Sequence, residues 1–172
     1  MSYNREFLQL ASKNHISKHF TVKDVCYSDT ALAKGISNIP TATVVINATL
    51  LAVNILEDIV NHYGKNLNVH CIYRSPGPNG VNHAVGGVDN SQHCLGQACD
   101  FTIDGISTKQ IFNDIISGKI KQTNGKPIKD ITDQCIYENN GAWVHISFDQ
   151  SKSRKQFMTA LNGKYTSVFK EI

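Results

Sequence analysis

The sequence has no pair of cysteines at the C-x-x-C spacing, although it contains five cysteines in 172 residues. An odd number of cysteines without paired spacing argues against a disulfide framework and against a ribbon-type zinc site. We therefore expect most of them to be small, buried hydrophobic residues. They are Cys26, Cys71, Cys94, Cys99 and Cys135.

The sequence also lacks a concentration of charge. Its formal net charge is +3, and only 18% of the residues are charged. Nucleic-acid binding usually requires a concentrated basic face, so we expect no nucleic-acid partner. The apolar fraction of 41% is ordinary for a globular protein.

Residues 1–20 contain no apolar core followed by a small-residue cleavage site, and the sequence shows no apolar run of membrane-spanning length. We expect a protein without a signal peptide or membrane span, made in the cytoplasm and exported, if at all, by another route. No repeat or linker interrupts the chain, so we expect one domain over residues 1–172.

Three segments carry helix signals. Thr21 and Asp24 have the spacing of a shortened capping box, which predicts a short helix. After Pro40, apolar residues at helical spacing predict the longest helix, and Gly64 can end it. A further helix is expected between Ser107 or Thr108 and the stop at Gly118.

Strands are predicted over residues 67–75 and 98–103, and a hairpin over 133–148. The tail, residues 153–169, is expected to form a last helix with an extended end. Helices and strands do not alternate regularly, which favours an α+β fold with a small antiparallel sheet and helices packed around it.

The segment "SQHCLGQACDF" combines His93 and Asp100 on either side of Gly96. A turn at Gly96 would bring both side chains to one point, where histidine nitrogen and carboxylate oxygen can bind zinc. His145, among apolar residues in "WVHIS", is the candidate third ligand, and three ligands leave one position open. Spacing alone leaves alternatives: hydrogen-bonded core histidines, or a closed structural site that uses Cys94 and Cys99. The remaining histidines (His15, His19, His62, His70, His83) have no nearby carboxylate on a rigid element and are interpreted as surface or core residues.

The predicted hairpin nominates a general base. A two-residue turn at Asn140-Gly141 would place Glu138 opposite Trp143 and Ile136 opposite His145. Glu138 would then be diagonal to His145, at about 7–8 Å in a sheet. A carboxylate there can accept a proton from a water beside a metal. If the turn is one residue longer, the face is reversed and Glu138 is a solvated edge carboxylate.

Taken together, "YRSPGPNGVNHAVGGVDNSQHCLGQACDF", "HFTVKDVCYSDTALAKGISNIP", "DQCIYE" and "WVHIS" resemble the zinc D-Ala-D-Ala carboxypeptidase-like metallopeptidases, a family with a Hedgehog-type zinc peptidase fold. The resemblance extends from His19 to Phe148. It rests on an S-x-H-x6-D motif followed by W-x-H.

The resemblance implies that His93, Asp100 and His145 bind one zinc ion. It implies that Arg74 holds the substrate or stabilises an oxyanion, and that Ser91 and Gln97 shape the ligand loop or contact the substrate. Trp143, on the predicted face of Glu138, is a further candidate for substrate contact. Asn82, Gly86 and Gly87 match the loop that precedes the motif.

The sequence departs from the resemblance at Ala142, because several relatives have a carboxylate three residues before the last histidine ligand. Glu138 is the substitute that the hairpin offers. The expected activity is hydrolysis of peptidoglycan peptides by a D,D-carboxypeptidase or endopeptidase. The expected setting is a monomeric, phage-type lysin, released or associated with a virion partner; a bacterial cytoplasmic peptidase that acts on wall precursors is also compatible with the sequence. The alternative is a catalytically silent, zinc-binding wall-binding or virion structural module.

Overall fold

The computed structural model describes residues 3–172, so the two residues at the start of the predicted domain lie outside it. Seven α-helices are found in this part of the chain: α1 (Arg5–Ala11), α2 (Val22–Cys26), α3 (Asp29–Lys34), α4 (Ala42–Leu51), α5 (Glu57–Tyr63), α6 (Val81–Ala84) and α7 (Thr108–Ile116). A π-helical segment, Ala52–Leu56, joins α4 to α5, and 3-10 turns are formed by Gln92–Leu95 and Ile128–Asp130.

The three helices predicted from local signals are confirmed. At α2, the Asp24 carboxylate accepts hydrogen bonds from the backbone N–H and the hydroxyl of Thr21, both at 2.7 Å. The long helix ends at Gly64, whose φ of 62° is left-handed. The Ser107 side chain caps α7 by accepting from the N–H of Gln110.

The strands form one six-stranded sheet in the order β1-β2-β4-β3-β5-β6. Their bounds are β1 (Asn68–Cys71), β2 (Ala98–Thr102), β3 (Gln134–Glu138), β4 (Trp143–Ser147), β5 (Gln156–Leu161) and β6 (Lys164–Ser167). The α+β class is confirmed, but the prediction of a small antiparallel sheet is corrected. The sheet is larger than expected, and β3 and β5 pair in parallel.

The prediction of a C-terminal helix is wrong, because β5 and β6 occupy that segment as a hairpin. Its turn is Asn162-Gly163, with φ values of 51° and 73°. Two successive residues at positive φ are what a type I′ hairpin turn requires, and Asn-Gly is the preferred pair. Phe157 and Met158, apolar residues of the segment predicted as helix, lie in β5.

The two faces of the sheet have different surroundings. Side chains on one face, including Phe101, Val144 and Ile146, share a buried cluster with the long helix and α7. Alternate residues on the same strands point to the opposite face.

Four of the five cysteines are buried, and all five are free thiols, as expected from their spacing.

The continuous helix Ala42–Tyr63 is long and apolar enough to cross a membrane by length and composition alone, with a mean hydropathy of 1.7 over 18 residues. Half of that window is buried inside the protein. Leu51, Ile55 and Ile59 are completely buried in the cluster beneath the sheet. We therefore interpret the helix as a core element.

Candidate metal centre

His93 is carried by a 3-10 turn that is fixed at both ends. At its start, the Ser91 hydroxyl accepts a hydrogen bond from the His93 N–H at 3.3 Å. At its end, Gly96 adopts a φ of 70°, and a Cβ there would lie 2.6 Å from the carbonyl oxygen of Val44. The predicted turn at Gly96 is thus confirmed, and its close packing against α4 admits only glycine.

Asp100 and His145 are directly opposite each other on the neighbouring antiparallel strands β2 and β4. Directly paired residues share a sheet face. Asp100 Oδ1 lies 2.8 Å from His145 Nδ1. The strand pairing therefore brings together two of the three residues that the sequence nominated as ligands.

His93 completes the group from the 3-10 turn. Its Nε2 lies 3.2 Å from Asp100 Oδ2 and 3.3 Å from His145 Nδ1. Its other nitrogen, Nδ1, lies 3.0 Å from the carbonyl oxygen of Ile72. A carbonyl can only accept, so Nδ1 carries the proton, and in the neutral ring Nε2 presents a lone pair to the other two side chains.

Burial sets the protonation states of this group. Desolvation lowers the pKa of His93, although the neighbouring Asp100 opposes that shift. Burial by itself would raise the pKa of Asp100, but its contacts with the two histidines outweigh burial and hold that pKa well below its usual range. A neutral imidazole and an ionised carboxylate are the forms that bind a metal.

This arrangement fits a cation. His93 Nε2, the Asp100 carboxylate oxygens and His145 Nδ1 lie 2.8–3.3 Å from one another, and all are atoms that bind a metal when they are deprotonated. Tetrahedral zinc with bonds of about 2.0–2.1 Å would separate its ligand atoms by roughly 3.3 Å. His145 Nε2 is buried without a hydrogen-bond partner among residues 3–172. The donor set is therefore compatible with zinc.

Cys71 is a site residue that the sequence analysis missed. A β-bulge between Val69 and Cys71 places Cys71 opposite Asp100, on the face that carries the ligands. Cys71, His93 and Asp100 each offer a ligand atom within 4.8 Å of the others, so these three could also hold a metal ion. The thiol lies 3.6 Å from His93 Nδ1, the nitrogen already bonded to Ile72. Burial raises its pKa to about 12.

We favour the set with His145 over the set with Cys71. His145 Nδ1 approaches the free lone pair of His93 Nε2, whereas Cys71 contacts the protonated side of the ring. Of the cysteines considered from sequence, Cys99 alternates with Asp100 and points into the core cluster on the other face. Cys94 is buried in the 3-10 turn and is not part of this group of ligand atoms.

The predicted register of the hairpin is confirmed, since Ile136 pairs with His145 and Glu138 with Trp143. The connection is longer than predicted: the ladder stops at Glu138, whose carbonyl accepts from the N–H groups of Gly141 and Ala142. Glu138 lies on the same face as His145, in the diagonal position. Burial raises the pKa of the Glu138 carboxyl, a shift partly offset by His145 and Arg74.

Arg74 lies beside the ligand loop, the segment from Ser91 to Gly96 that carries His93. Its backbone N–H donates to the carbonyl of His93 at 3.1 Å, and its Nη2 donates to the Ser91 hydroxyl at 3.2 Å. Its Nε is buried without a hydrogen-bond partner in the described chain. The loop that precedes the motif is held by Asn82, whose Nδ2 donates to the carbonyl of Val88, while Gly86 is left-handed and Gly87 packs against the Asn82 side chain.

Most of the candidate site residues line one cleft of about 530 Å³. Of the residues nominated from sequence, it contains His93, Asp100, His145, Glu138, Arg74, Ser91 and Trp143. Gln97 lies elsewhere, in a separate depression of about 460 Å³ that it shares with Asn47 and Phe148. The lining residues that sequence reasoning did not nominate include Arg154, Met158 and Tyr165.

A model of the Peptidase M15 family matches residues 18–147, about three quarters of the chain. No curated protein and no solved structure shows significant similarity to this chain. The match covers the helices, the strands and the loop that bring the candidate ligands together, and it confirms the resemblance seen in the sequence motifs. The chain belongs to the peptidase M15 family, whose members are zinc-using hydrolases of peptides.

Proposed function

We propose that this protein is a zinc-dependent peptidase that hydrolyses peptidoglycan peptides. One observation carries the proposal: three potential ligand atoms, from His93, Asp100 and His145, converge in a cleft of a peptidase M15 chain. In this proposal they hold one zinc ion and leave a fourth position open. We also infer that the whole chain is one domain with the Hedgehog-type D,D-peptidase arrangement.

Bound zinc would supply Lewis-acid polarisation of the scissile carbonyl and an attacking water of lowered pKa. Glu138 would take the proton from that water and transfer it to the leaving amine. Its burial favours this role, because a carboxylate with a raised pKa is a stronger base than an exposed one. Its diagonal position keeps it beside the ligand group without joining it.

Arg74 would stabilise the negative charge that develops on the carbonyl oxygen. The bond from its backbone N–H to the His93 carbonyl places Arg74 beside the ligand loop, and the bond from Nη2 to the Ser91 hydroxyl orients its guanidinium. Ser91 and Trp143 would contact the peptide from the walls of the cleft. Gln97 is left out of the proposed contacts, because it lies outside this cleft.

The experiment is mass spectrometry of purified peptidoglycan after incubation with the zinc-loaded protein. We expect new peptide fragments, whose masses identify the bond and separate carboxypeptidase from endopeptidase action. Glu138→Gln should abolish the fragments and keep zinc, whereas His93→Ala should abolish both. Such an enzyme must reach the wall, and we propose a phage-type protein that is released or carried by a virion.

A second candidate is a catalytically silent zinc module that binds wall peptides, and Ala142 is the observation that favours it. Ala142 stands where several relatives have a carboxylate, so the cleft lacks a base at that position. Intact peptidoglycan from protein shown to contain zinc, together with co-sedimentation on wall fragments, would establish this candidate and refute the peptidase.

A further inference from the structure

The C-terminal segment supplies one side of the cleft. The family match ends at residue 147, but Arg154, Met158 and Tyr165 line the same cleft as His93 and His145. Strand β5 pairs with β3 in a register that places Met158 beside Ile136. Met158 thus continues the row that contains His145, one strand further from the ligands.

Arg154 is anchored by a buried carboxylate. Asp133, which is 1% exposed, accepts hydrogen bonds from the backbone N–H of Arg154 at 2.7 Å and from Nε and Nη2 of its guanidinium at 3.0 and 2.6 Å. Gln92, the residue before His93, donates to Asp133 at 2.9 Å and accepts from Arg154 Nη2 at 2.8 Å. The guanidinium is therefore fixed in both position and plane, next to the ligand loop.

This anchoring leaves one nitrogen of the guanidinium, Nη1, without a partner in the described chain. An arginine side chain carries five N–H groups. The Nε and Nη2 groups account for the bonds to Asp133 and Gln92, and Nη1 makes no hydrogen bond within residues 3–172. The side chain is 35% exposed and lines the cleft. The bonds to Asp133 and Gln92 account for Nε and Nη2 but not for Nη1, which, among the described residues, keeps its N–H groups free at the cleft.

An N–H donor of a charged, pre-ordered guanidinium matches a carboxylate oxygen, because the bond is charge-assisted and little conformational freedom is lost when the pair forms. We propose that Arg154 binds a free carboxylate of the peptide, so that the enzyme selects substrates carrying that group. The inference rests on the proposed peptidase function. The carboxylate is either the C-terminal one or the α-carboxylate of a γ-linked glutamate, and the test separates them.

The test uses acetyl-L-Ala-γ-D-Glu-L-Lys-D-Ala-D-Ala with both carboxylates free, and two versions in which either the C-terminus or the glutamate α-carboxylate is a carboxamide. We expect one of the two amidations to lower kcat/KM of the zinc-loaded wild type by about tenfold or more, as for the loss of a charged hydrogen bond. Which peptide is affected identifies the source of the carboxylate.

Two variants remove the Nη1 donor without leaving a buried charge on Asp133 unpaired. Arg154→Lys keeps a cation beside Asp133, but its single nitrogen cannot occupy the Asp133 position and the Nη1 position together, and Asp133→Asn with Arg154→Gln removes both charges together. In both, the effect of amidation should disappear, while zinc content is unchanged. Arg5→Gln, which removes an arginine outside the cleft, should retain the wild-type preference. A destabilised enzyme would lose activity on all three peptides alike, so the ratio of kcat/KM between the free and the amidated peptides would stay at its wild-type value.

An amidation effect that persists in both variants, or its absence in the wild type, would overturn the proposal. If none of the peptides is cleaved, the peptidase function fails, and binding of the same peptides is measured by titration calorimetry. Weaker binding of one amidated peptide, lost in the variants, would still support the carboxylate site. Equal binding of all three, or no binding, would refute it.

Discussion

Replacing Glu138 with glutamine removes a carboxylate and changes little else. The amide has nearly the same size, and the Glu138 side chain makes no hydrogen bond within residues 3–172. If Glu138 is the general base, its loss should lower kcat by about 10²–10⁴-fold, the usual contribution of general acid–base catalysis. That range corresponds to about 3–5 kcal/mol of activation free energy.

The same substitution should not reduce stability. Burial raises the pKa of Glu138 in the folded state. The protonated carboxyl is thus favoured by folding, and the stability associated with it is lost as pH rises through the raised pKa. Glutamine stays neutral, so the metal-free variant should have a Tm equal to or above wild type near neutral pH. The two Tm values should converge below about pH 4, where the glutamate is protonated in both states.

The assay combines kcat on a wall peptide, zinc content and the Tm of the metal-free protein, with Glu171→Gln as an exposed control. A kcat within threefold of wild type, in protein that holds zinc, would refute the assignment of Glu138 as base. A large fall in the Tm of the metal-free variant would refute the account of its environment, because it would mean that the ionised carboxylate stabilises the fold.

Three further outcomes are expected. His93→Ala should reduce zinc, measured by plasma mass spectrometry, from one equivalent to none, and Tm should no longer respond to a chelator. Burial raises the pKa of Glu57, but hydrogen bonds, including the 2.6 Å contact to His19, lower it overall. The ionised Glu57 therefore stabilises the fold above about pH 4, and this stability is lost on further acidification. Glu57→Gln should lose less unfolding free energy than wild type in an acid titration. Phe112→Ala should lower the free energy of unfolding in urea by about 3–5 kcal/mol, because Phe112 is completely buried. The control Phe169→Ala, at a 95% exposed position, should change it by less than about 0.5 kcal/mol.

Structural features that depend on residues a few positions apart could be predicted from the sequence. The capping box at Thr21, the glycine stop at Gly64 and the register that pairs Glu138 with Trp143 all depend on local spacing. The Asn162-Gly163 turn is an equally local signal, yet the preceding short apolar run was interpreted as helix. Short runs of this kind do not distinguish a strand from a helix, and the turn is the feature that decides.

Contacts between distant segments were not readable in the same way. The pairing of His19 with Glu57 was missed, and His19 was wrongly taken to have no nearby carboxylate, because the two are separated by 38 residues. Cys71 reaches the site only through a β-bulge, and no pattern of residues in the sequence predicted that bulge. Arg154 reaches the cleft because β5 pairs with β3 in parallel, outside the family match.

The candidate site and the hydrophobic core are built from the same strands. In β2, Asp100 lies between Cys99 and Phe101, and in β4, His145 lies between two apolar residues; these flanking side chains are completely buried on the opposite face. A slip of one residue in the pairing of β2 and β4 would turn ligands into the core and apolar side chains into the cleft. Packing beneath the sheet therefore selects the register that brings the candidate ligands together. His93 depends on the same packing from another direction, since Gly96 rests directly on α4. Substitutions in the core should consequently weaken metal binding as well as stability, even at positions that never contact the ion.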